Sequence, residues 1–149
     1  MTITELQDLI ARSPYLNWLG LEVLALDENS IEVRAKWREE WIASTRLMQT
    51  HGGILAALID FAADYALVQR IGHGVPTIDL RVDYHRLAKA GDLVAKGRIV
   101  RFGRQVSTCE AEVLQDGTLI ASGRVDRTKV ALFGAGLVVV LGVIDQEHA

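Results

Sequence analysis

The feature that most constrains the fold is a long apolar segment, residues 51–71, which lacks a polar stripe. Leucine, isoleucine, alanine, phenylalanine and valine recur at nearly every helical position in it. A helix that is apolar on nearly every face is buried on nearly every face. Glycines at positions 72 and 74 then end it. The sequence therefore predicts one central helix that the rest of the chain encloses.

Segments on both sides of the central helix alternate between apolar and polar residues, as β-strands do. The strands are expected at 21–26, 31–37, 77–84, 93–102, 106–114 and 119–130, with Asp116-Gly117 as a hairpin turn. Residues 1–13 are expected to contain a short amphipathic helix. This order predicts a single α+β domain, residues 1–149, in which an antiparallel sheet of about six strands wraps around the central helix. Such a small domain can hardly cover both the helix and the sheet edges, so we expect a dimer.

Composition places the chain among ordinary globular proteins. It has 149 residues, 50% of them hydrophobic, and a net charge of −3. A mildly acidic chain has no global electrostatic reason to bind nucleic acid or an anionic membrane. Its single cysteine, Cys109, excludes an internal disulfide and a zinc site built from several cysteines. The N-terminal residues alternate polar and apolar side chains and do not form a signal peptide, so we expect a cytoplasmic protein.

The C-terminal tail, residues 130–149, is the one unusual segment. Val130–Ile144 contains no charge, but its 15 residues fall short of the about 20 that a membrane-spanning helix needs. Its glycines and valines favour strand or irregular structure over helix. We therefore expect the end of the last strand, followed by a segment packed on the domain or on a partner subunit, and no membrane anchor.

The central helix carries two carboxylates, Asp60 and Asp64, which are four residues apart and therefore share one face. An ionised carboxylate away from water is costly unless it is paired or hydrogen-bonded. One interpretation is structural: an arginine or backbone N–H groups of a neighbouring element satisfy both. The other is functional: a carboxylate serves as general base or nucleophile in a cleft. The spacing alone leaves both interpretations open.

The start of the helix bears on this choice. His51, Gly52 and Gly53 precede the apolar run, and two glycines allow a ligand to approach the backbone closely. The first N–H groups of a helix are unpaired and can stabilise the oxyanion that forms during acyl transfer. Asp60 lies seven residues after Gly53, which is about 10 Å further along the helix. Within one chain this is too far for Asp60 and the first N–H groups to reach the same reacting group. A second subunit that places its Asp60 against Gly52 would complete the site, which predicts a site shared between two subunits.

Three blocks of sequence together carry a family resemblance. The first, HGGILAALIDFAADYAL at His51–Leu67, contains a His-Gly-Gly signature and an acidic residue nine positions after the histidine. The second is PTIDLRVDYHRLAKAGD at Pro76–Asp92, and the third, Ala95–Val130, contains RFGR at Arg101–Arg104. In this order the blocks resemble the hotdog-fold acyl-CoA thioesterases of the phenylacetate-degradation type, the PaaI-like group. The resemblance covers most of the chain, Leu16–Lys129.

The resemblance implies a hotdog fold, in which a six-stranded antiparallel sheet surrounds one long helix, and dimers that often pair into tetramers. It implies hydrolysis of a coenzyme A thioester without a metal or other cofactor, since coenzyme A is part of the substrate. Asp60 matches the family's general base or nucleophile toward the thioester carbonyl. Gly52, with Gly53 beside it, matches the residue whose backbone N–H polarises that carbonyl. His51 matches the signature histidine, a positioning residue.

Further site residues follow from the same resemblance. Thr77 occupies the position of a family hydroxyl that helps to orient the water. Many relatives carry Asn or Gln six residues before the signature histidine, and that side chain orients the water or the carbonyl. This chain has Thr45 at that position, so Thr45 is a candidate substrate-binding residue, and the resemblance does not identify the group that positions the water. Asp64 lies where some relatives have a hydroxyl residue, and a second carboxylate there interacts with Asp60 by like-charge repulsion.

Coenzyme A carries phosphates, which require a local basic patch despite the net negative charge. The candidates for this patch are Arg86, Lys89, Arg101 and Arg104, which flank two predicted turns. Charged side chains at turns are common, so ordinary solvated residues are the alternative interpretation.

The leading hypothesis is therefore an acyl-CoA thioesterase, and two alternatives stay open. One is a non-catalytic acyl-CoA-binding hotdog protein, because a fold does not determine a function. The other is a hotdog dehydratase or hydratase that would use His51 and Asp60 for proton transfer at carbon. The acyl group depends on the size of a pocket that packing creates, so the sequence does not identify it.

Overall fold

The computed structural model describes residues 1–128. The apolar tail 130–149 lies outside the described residues, as does the end of the strand that we expected to reach residue 130. Within residues 1–128, no helix is both long and apolar enough to cross a membrane. The cytoplasmic location stays a prediction.

The helices and strands follow one another largely in the predicted order. Within the described range, the helices are α1 (Ile3–Arg12), α2 (Pro14–Trp18) and α3 (Gly52–Ile71), and a single 3-10 turn spans Glu39–Trp41. The strands are β1 (Leu21–Leu26), β2 (Ser30–Ala35), β3 (Ile42–Ser44), β4 (Gln49–Thr50), β5 (Thr77–Tyr84), β6 (Leu93–Arg101), β7 (Val106–Gln115) and β8 (Thr118–Thr128).

The six longer strands form one antiparallel sheet in the order β1-β2-β6-β7-β8-β5. Helix α3 packs across its inner face, against β6, β7 and β8 above all. This arrangement confirms the predicted α+β hotdog fold. The Asp116-Gly117 turn joins β7 to β8, and both residues adopt positive φ angles, 48° and 75°, as this dipeptide favours in a hairpin.

Two small features were missed by the sequence analysis. Helix α2 has five residues, and its start is defined by the Ser13 side chain, which accepts a hydrogen bond from the Leu16 N–H, and by Pro14 at the first helical position. Strands β3 and β4 form a separate hairpin of three and two residues. Elements this short contain too few residues for an apolar period to appear.

Helix α3 is the centre of the hydrophobic core. Half of its 20 residues are buried, among them Leu58, Ile59, Ala62 and Leu67 with no exposed surface. The helix ends at Gly72, which has a left-handed φ of 87° and donates its N–H to the Val68 carbonyl at 2.7 Å. The predicted buried helix is thus confirmed.

Strand β5 lies at one edge of the sheet and is the most exposed of its six strands. Ile78, Leu80 and Tyr84 are 48%, 37% and 56% exposed, although all three are large and apolar or aromatic. Helix α3 reaches β5 only at its margin, because it lies over the middle of the sheet. An edge strand with exposed apolar side chains is a surface on which another chain can pair.

Gly97 on β6 allows the sheet and helix α3 to approach closely. A β-carbon at this position would collide with the backbone carbonyl of Ala62. We expect Gly97→Ala to lower the free energy of unfolding by about 2 kcal/mol or more, because the helix must shift away from the sheet. Gly74→Ala is the control, since a β-carbon there meets no atom within 4 Å. Urea denaturation at one fixed protein concentration measures both, and equal stability of the two variants would contradict this packing.

Candidate active site

The two carboxylates of α3 converge on one arginine, Arg127 of β8. Its Nη2 donates to Asp60 Oδ1 at 2.6 Å and to the Asp60 carbonyl oxygen at 2.7 Å. Its Nη1 lies 3.1 Å from Asp64 Oδ1 and donates to the Val75 carbonyl at 3.2 Å. The Arg127 side chain is 4% exposed, so the guanidinium group itself lies away from water, where electrostatic interactions are strong. An arginine of a neighbouring element thus pairs with both carboxylates, as the structural interpretation requires.

Arg127 was not singled out by the sequence analysis, although the strand pattern contains a signal for it. Val125 is fully buried on the inner face of β8, and Arg127 follows two residues later, so both side chains point the same way. A basic residue in the inward register of a strand, next to a helix that buries two carboxylates, predicts an ion pair between them. We overlooked Arg127 because the other residues of the strand follow the expected apolar alternation.

Thr77 supplies the second donor to Asp60. It stands opposite Arg127 in the β5–β8 ladder, and its Oγ1 donates to Asp60 Oδ1 at 3.1 Å. Both donors therefore engage the same carboxylate oxygen and neither engages Oδ2. The Asp60 side chain is 42% exposed, so the carboxylate remains accessible. The structure thus brings together three residues that the sequence analysis selected, Asp60, Thr77 and Asp64.

Asp64 is the more buried of the two carboxylates, with 20% of its side chain exposed. Its Oδ1 is at ion-pair distance from Arg127, but among residues 1–128 it has no aligned hydrogen-bond partner. Burial raises the pKa of the Asp64 carboxyl from 3.8 to about 6; the Arg127 charge opposes this rise and the Asp60 charge adds to it. Asp64 can therefore exchange a proton close to neutral pH.

Helix α3 begins at Gly52, with His51 as its N-cap. His51 Nδ1 accepts a hydrogen bond from the Gly53 N–H at 2.9 Å, so that donor is engaged. The Gly52 N–H is the first of the helix and has no carbonyl one turn earlier to accept it. His51 therefore fixes the turn that presents the Gly52 N–H, the donor at the positive end of the helix dipole.

Tyr84 contacts the start of helix α3 at Gly52. The sequence analysis did not predict this contact, because Tyr84 served there only as the last residue of an alternating strand. Its hydroxyl donates to the Gly52 carbonyl at 3.0 Å. A β-carbon on Gly52 would lie 3.3 Å from the Tyr84 ring, so even alanine would be tight here. The space beside the Gly52 backbone is therefore bounded by an aromatic side chain.

Gly52 and Asp60 lie at opposite ends of β5 within one protomer. Gly52 contacts Tyr84 at the end of the strand, whereas Asp60 contacts Thr77 at its start. About 12 Å of helical rise separates them. As the spacing predicts, one protomer does not bring the helix start to the carboxylate.

A groove of about 490 Å³ runs between helix α3 and its neighbours on the Asp60 side. Its walls are largely apolar, with Ala57 and Phe61 of α3, Leu16 of α2 and Leu80 of β5 among them. Both Asp60 and Asp64 line the same groove. An apolar groove with a small number of polar groups suits an organic ligand with one reactive or hydrogen-bonding centre.

The four basic candidates fall into two separate pairs. Arg86 and Lys89 follow β5 and lie beside the β7–β8 hairpin, where Arg86 Nη1 donates to the Leu119 carbonyl at 3.0 Å. Arg101 and Arg104 lie at the β6–β7 turn, at the opposite end of the sheet. All four residues are exposed. One protomer therefore does not form a single basic patch from them.

Thr45 lies exposed in the turn between β3 and β4. This hairpin leads directly into helix α3, and the Thr50 hydroxyl donates to the Lys89 carbonyl at 3.2 Å. Thr45 thus belongs to the Gly52 end of the protomer rather than to the Asp60 end. Within residues 1–128, no three histidine, cysteine or carboxylate side chains are grouped as a metal site.

Comparison with known proteins identifies the family to which this chain belongs. A sequence profile of the thioesterase superfamily matches residues 49–122. A Halobacterium salinarum protein, named provisionally as an esterase, is 35% identical over 104 residues, which cover 66% of this chain and 68% of that protein. The chain therefore belongs to the thioesterase superfamily.

Solved structures place the chain within that superfamily. A thioesterase superfamily protein with 47% sequence identity superimposes with a TM-score of 0.81 and covers 85% of this chain and 96% of its own. A Ralstonia eutropha protein related to phenylacetic acid degradation is 25% identical, with a TM-score of 0.72 and coverages of 82% and 97%. The Escherichia coli PaaI protein, 21% identical, shares the fold with a TM-score of 0.76 and coverages of 86% and 92%. The protein is thus a PaaI-like, hotdog-fold member of the thioesterase superfamily.

The raised pKa of Asp64 predicts a pH-dependent effect of Asp64→Asn. As pH rises from about 4 to about 6, the unfolded chain releases a proton that the folded protein retains, so wild-type stability falls. Asparagine removes this loss. We expect the free energy of unfolding of Asp64→Asn, relative to that of the wild type, to rise by about 1–3 kcal/mol between pH 4 and pH 6 and to stay constant above pH 6. Urea denaturation from pH 4 to 8 measures this difference, with Asp8→Asn as the control because Asp8 is an exposed residue of α1. A difference that does not change with pH would contradict burial of the Asp64 charge.

Proposed function

We propose that the protein is an acyl-CoA thioesterase, with Asp60 as general base or nucleophile and the Gly52 N–H polarising the thioester carbonyl. The observation that carries the proposal is the Asp60 carboxylate itself, which two donors hold by one oxygen at an apolar groove. Membership of the thioesterase superfamily supports the reaction class. Coenzyme A is part of the substrate in this reaction, and the residues proposed here need no further cofactor.

Hydrolysis requires a nucleophile at the thioester carbonyl carbon and stabilisation of the oxyanion that forms. In the general-base route, Asp60 Oδ2 takes a proton from water, the water oxygen adds to the carbonyl carbon, and the C–S bond breaks. The proton then passes to sulfur, which leaves as the thiol of coenzyme A. In the nucleophilic route, Oδ2 itself adds to the carbon and expels the thiolate, and water then hydrolyses the resulting anhydride.

The exposed edge of β5 supports a homodimer in which two copies of the strand lie antiparallel. A two-fold axis across this edge places the start of one β5 beside the end of the other. Since Asp60 contacts the start of the strand and Gly52 contacts its end, each Asp60 then meets the partner's helix start. The exposed apolar side chains of Ile78 and Leu80 would be covered by the same pairing. Association of two such dimers into a tetramer stays a prediction from the resemblance.

The same two-fold axis would bring the two basic pairs, each from a different protomer, to one site. Arg86 and Lys89 lie at the Gly52 end of a protomer, whereas Arg101 and Arg104 lie at the end that holds Asp60. A site built from Gly52 of one protomer and Asp60 of the other therefore draws one basic pair from each. We propose that these side chains contact the phosphates of coenzyme A at the mouth of the shared site.

Asp60→Asn tests the central residue of this proposal. We expect kcat to fall about 1,000-fold or more while the fold is retained, because the amide neither accepts the proton nor attacks the carbonyl. Thiol release from a panel of aryl, medium-chain and long-chain acyl-CoA thioesters measures it, with Asp8→Asn as the matched control. Full turnover by Asp60→Asn would refute the assignment.

Two outcomes for the wild type would favour the alternative functions. If the wild type binds acyl-CoA in calorimetry but releases no thiol, the protein is an acyl-CoA-binding module. A change in the ultraviolet absorbance of a crotonyl thioester would instead identify a dehydratase or hydratase.

Gly52→Pro tests the backbone donor, because it removes the N–H without breaking the helix. His51 has φ −62° and ψ 134°, a conformation that tolerates a following proline, and proline is favoured at the first helical position. We expect kcat to fall about 100-fold or more. Gly52→Ala is the control. It retains the N–H, and the exposed Tyr84 ring has to move only slightly to admit its β-carbon, so it should lose far less activity.

The two inactive variants together test whether the site is shared. When Gly52→Pro and Asp60→Asn chains are dissociated, mixed in equal amounts and reassociated, each mixed dimer would contain one intact site. Random pairing then restores about a quarter of the wild-type activity. A site within one protomer would give no recovery, because every chain carries one defect.

A further inference from the structure

Arg127 contacts Asp60 more extensively than the neutralisation of a charge requires. One nitrogen, Nη2, donates to both the side-chain Oδ1 and the main-chain carbonyl of the same residue, at 2.6 and 2.7 Å. A rotation of the Asp60 side chain moves Oδ1 while the carbonyl stays in the helix, so it breaks one of the two hydrogen bonds. The pair of contacts therefore favours a single orientation of the carboxylate.

The guanidinium group is itself held by other parts of the fold. Nη1 donates to the Val75 carbonyl at 3.2 Å and lies 3.1 Å from Asp64 Oδ1. The side chain is 4% exposed and belongs to β8, while its partners belong to α3 and to the segment before β5. A planar guanidinium anchored by two nitrogens to α3 and to the segment before β5 is a rigid reference for a side chain.

We propose, on the basis of the proposed function, that Arg127 is a positioning residue for the hydrolysis. It holds Asp60 Oδ1 so that Oδ2 is presented to the groove, and Asp64 keeps the guanidinium in place from the other side. Thr77 also donates to Oδ1, but a hydroxyl group can rotate away and carries no charge. Arg127 therefore determines which oxygen of the carboxylate reacts and where it lies.

Three variants separate this role from a general effect on the protein. Arg127→Gln removes both the charge and the double contact, and Arg127→Lys retains the charge without the planar fork. We expect kcat for an acyl-CoA thioester to fall about 100-fold and about 10-fold respectively, with KM changed less than about 3-fold, because an orienting contact acts on the reacting geometry. Arg98→Gln is the matched control: Arg98 also pairs with a carboxylate at 2.6 Å, but on the exposed outer face of the sheet.

Arg127→Gln also leaves Asp64 buried without its counter-ion, which could prevent folding. The double variant Arg127→Gln/Asp64→Asn removes that charge, and Asp64→Asn alone is its reference. We expect the two proteins to have similar unfolding midpoints, while kcat of the double variant stays about 100-fold below that of Asp64→Asn. If kcat returns together with stability, Arg127 only neutralises Asp64, and the positioning role is refuted.

The remaining outcomes distinguish this inference from the proposed function. If the wild type releases thiol and Arg127→Gln retains its kcat within about 2-fold, the positioning role fails and the thioesterase assignment stands. If the wild type hydrolyses no thioester of the panel, the proposed function fails and the positioning role fails with it.

Discussion

The burial of helix α3 is the constraint on which the rest of the structure depends. Its apolar side chains are covered by an inner sheet face that comes close enough for Gly97 to contact the backbone of Ala62. The same helix carries Asp60 and Asp64, so its packing buries most of the Asp64 side chain and part of the Asp60 side chain. Unpaired charges in such a place are costly, and the fold compensates with Arg127 from the opposing strand.

The structural and functional interpretations of these carboxylates are therefore not exclusive. Arg127 satisfies Oδ1 of Asp60 and approaches Asp64, which is what a structural ion pair does. It leaves Asp60 Oδ2 without a contact from Arg127 or Thr77, on a side chain that lines an apolar groove. A residue held by one oxygen and accessible by the other combines a fixed position with a free reactive atom, which is what general-base or nucleophilic chemistry requires.

The incompletely satisfied parts of the protomer coincide with the proposed site. The edge of β5 exposes apolar side chains, and the start of α3 presents an N–H with no earlier carbonyl to accept it. A domain that functions alone normally buries its apolar side chains and pairs its backbone N–H groups. Exceptions to these two tendencies concentrate at functional surfaces. The start of α3 lies at one end of β5 and Asp60 at the other, so the proposed two-fold axis across this edge would bring each Asp60 to the partner's helix start.

The elements with strong periodicity were predictable, and the contacts between distant elements were not. The apolar run of α3 and the alternation of β2 and β6 predicted their burial, whereas α2, β3 and β4 are too short to show a period. Asp60, Asp64, His51 and Gly52 were identified because an acidic pair and two glycines are conspicuous in an apolar helix. Arg127 and Tyr84 were missed because their roles come from partners 67 and 32 residues away in the chain.

The sequence by itself determined which helix is buried, which segments form strands, and which carboxylates had to find a partner or a function. These properties follow from periodicity and from the cost of burying charge, both of which are local. The tertiary structure alone decided that Arg127 is that partner and that Asp60 and Gly52 lie at opposite ends of β5. Both depend on strand register, since a shift of β8 by one residue would turn Arg127 to the outer face of the sheet.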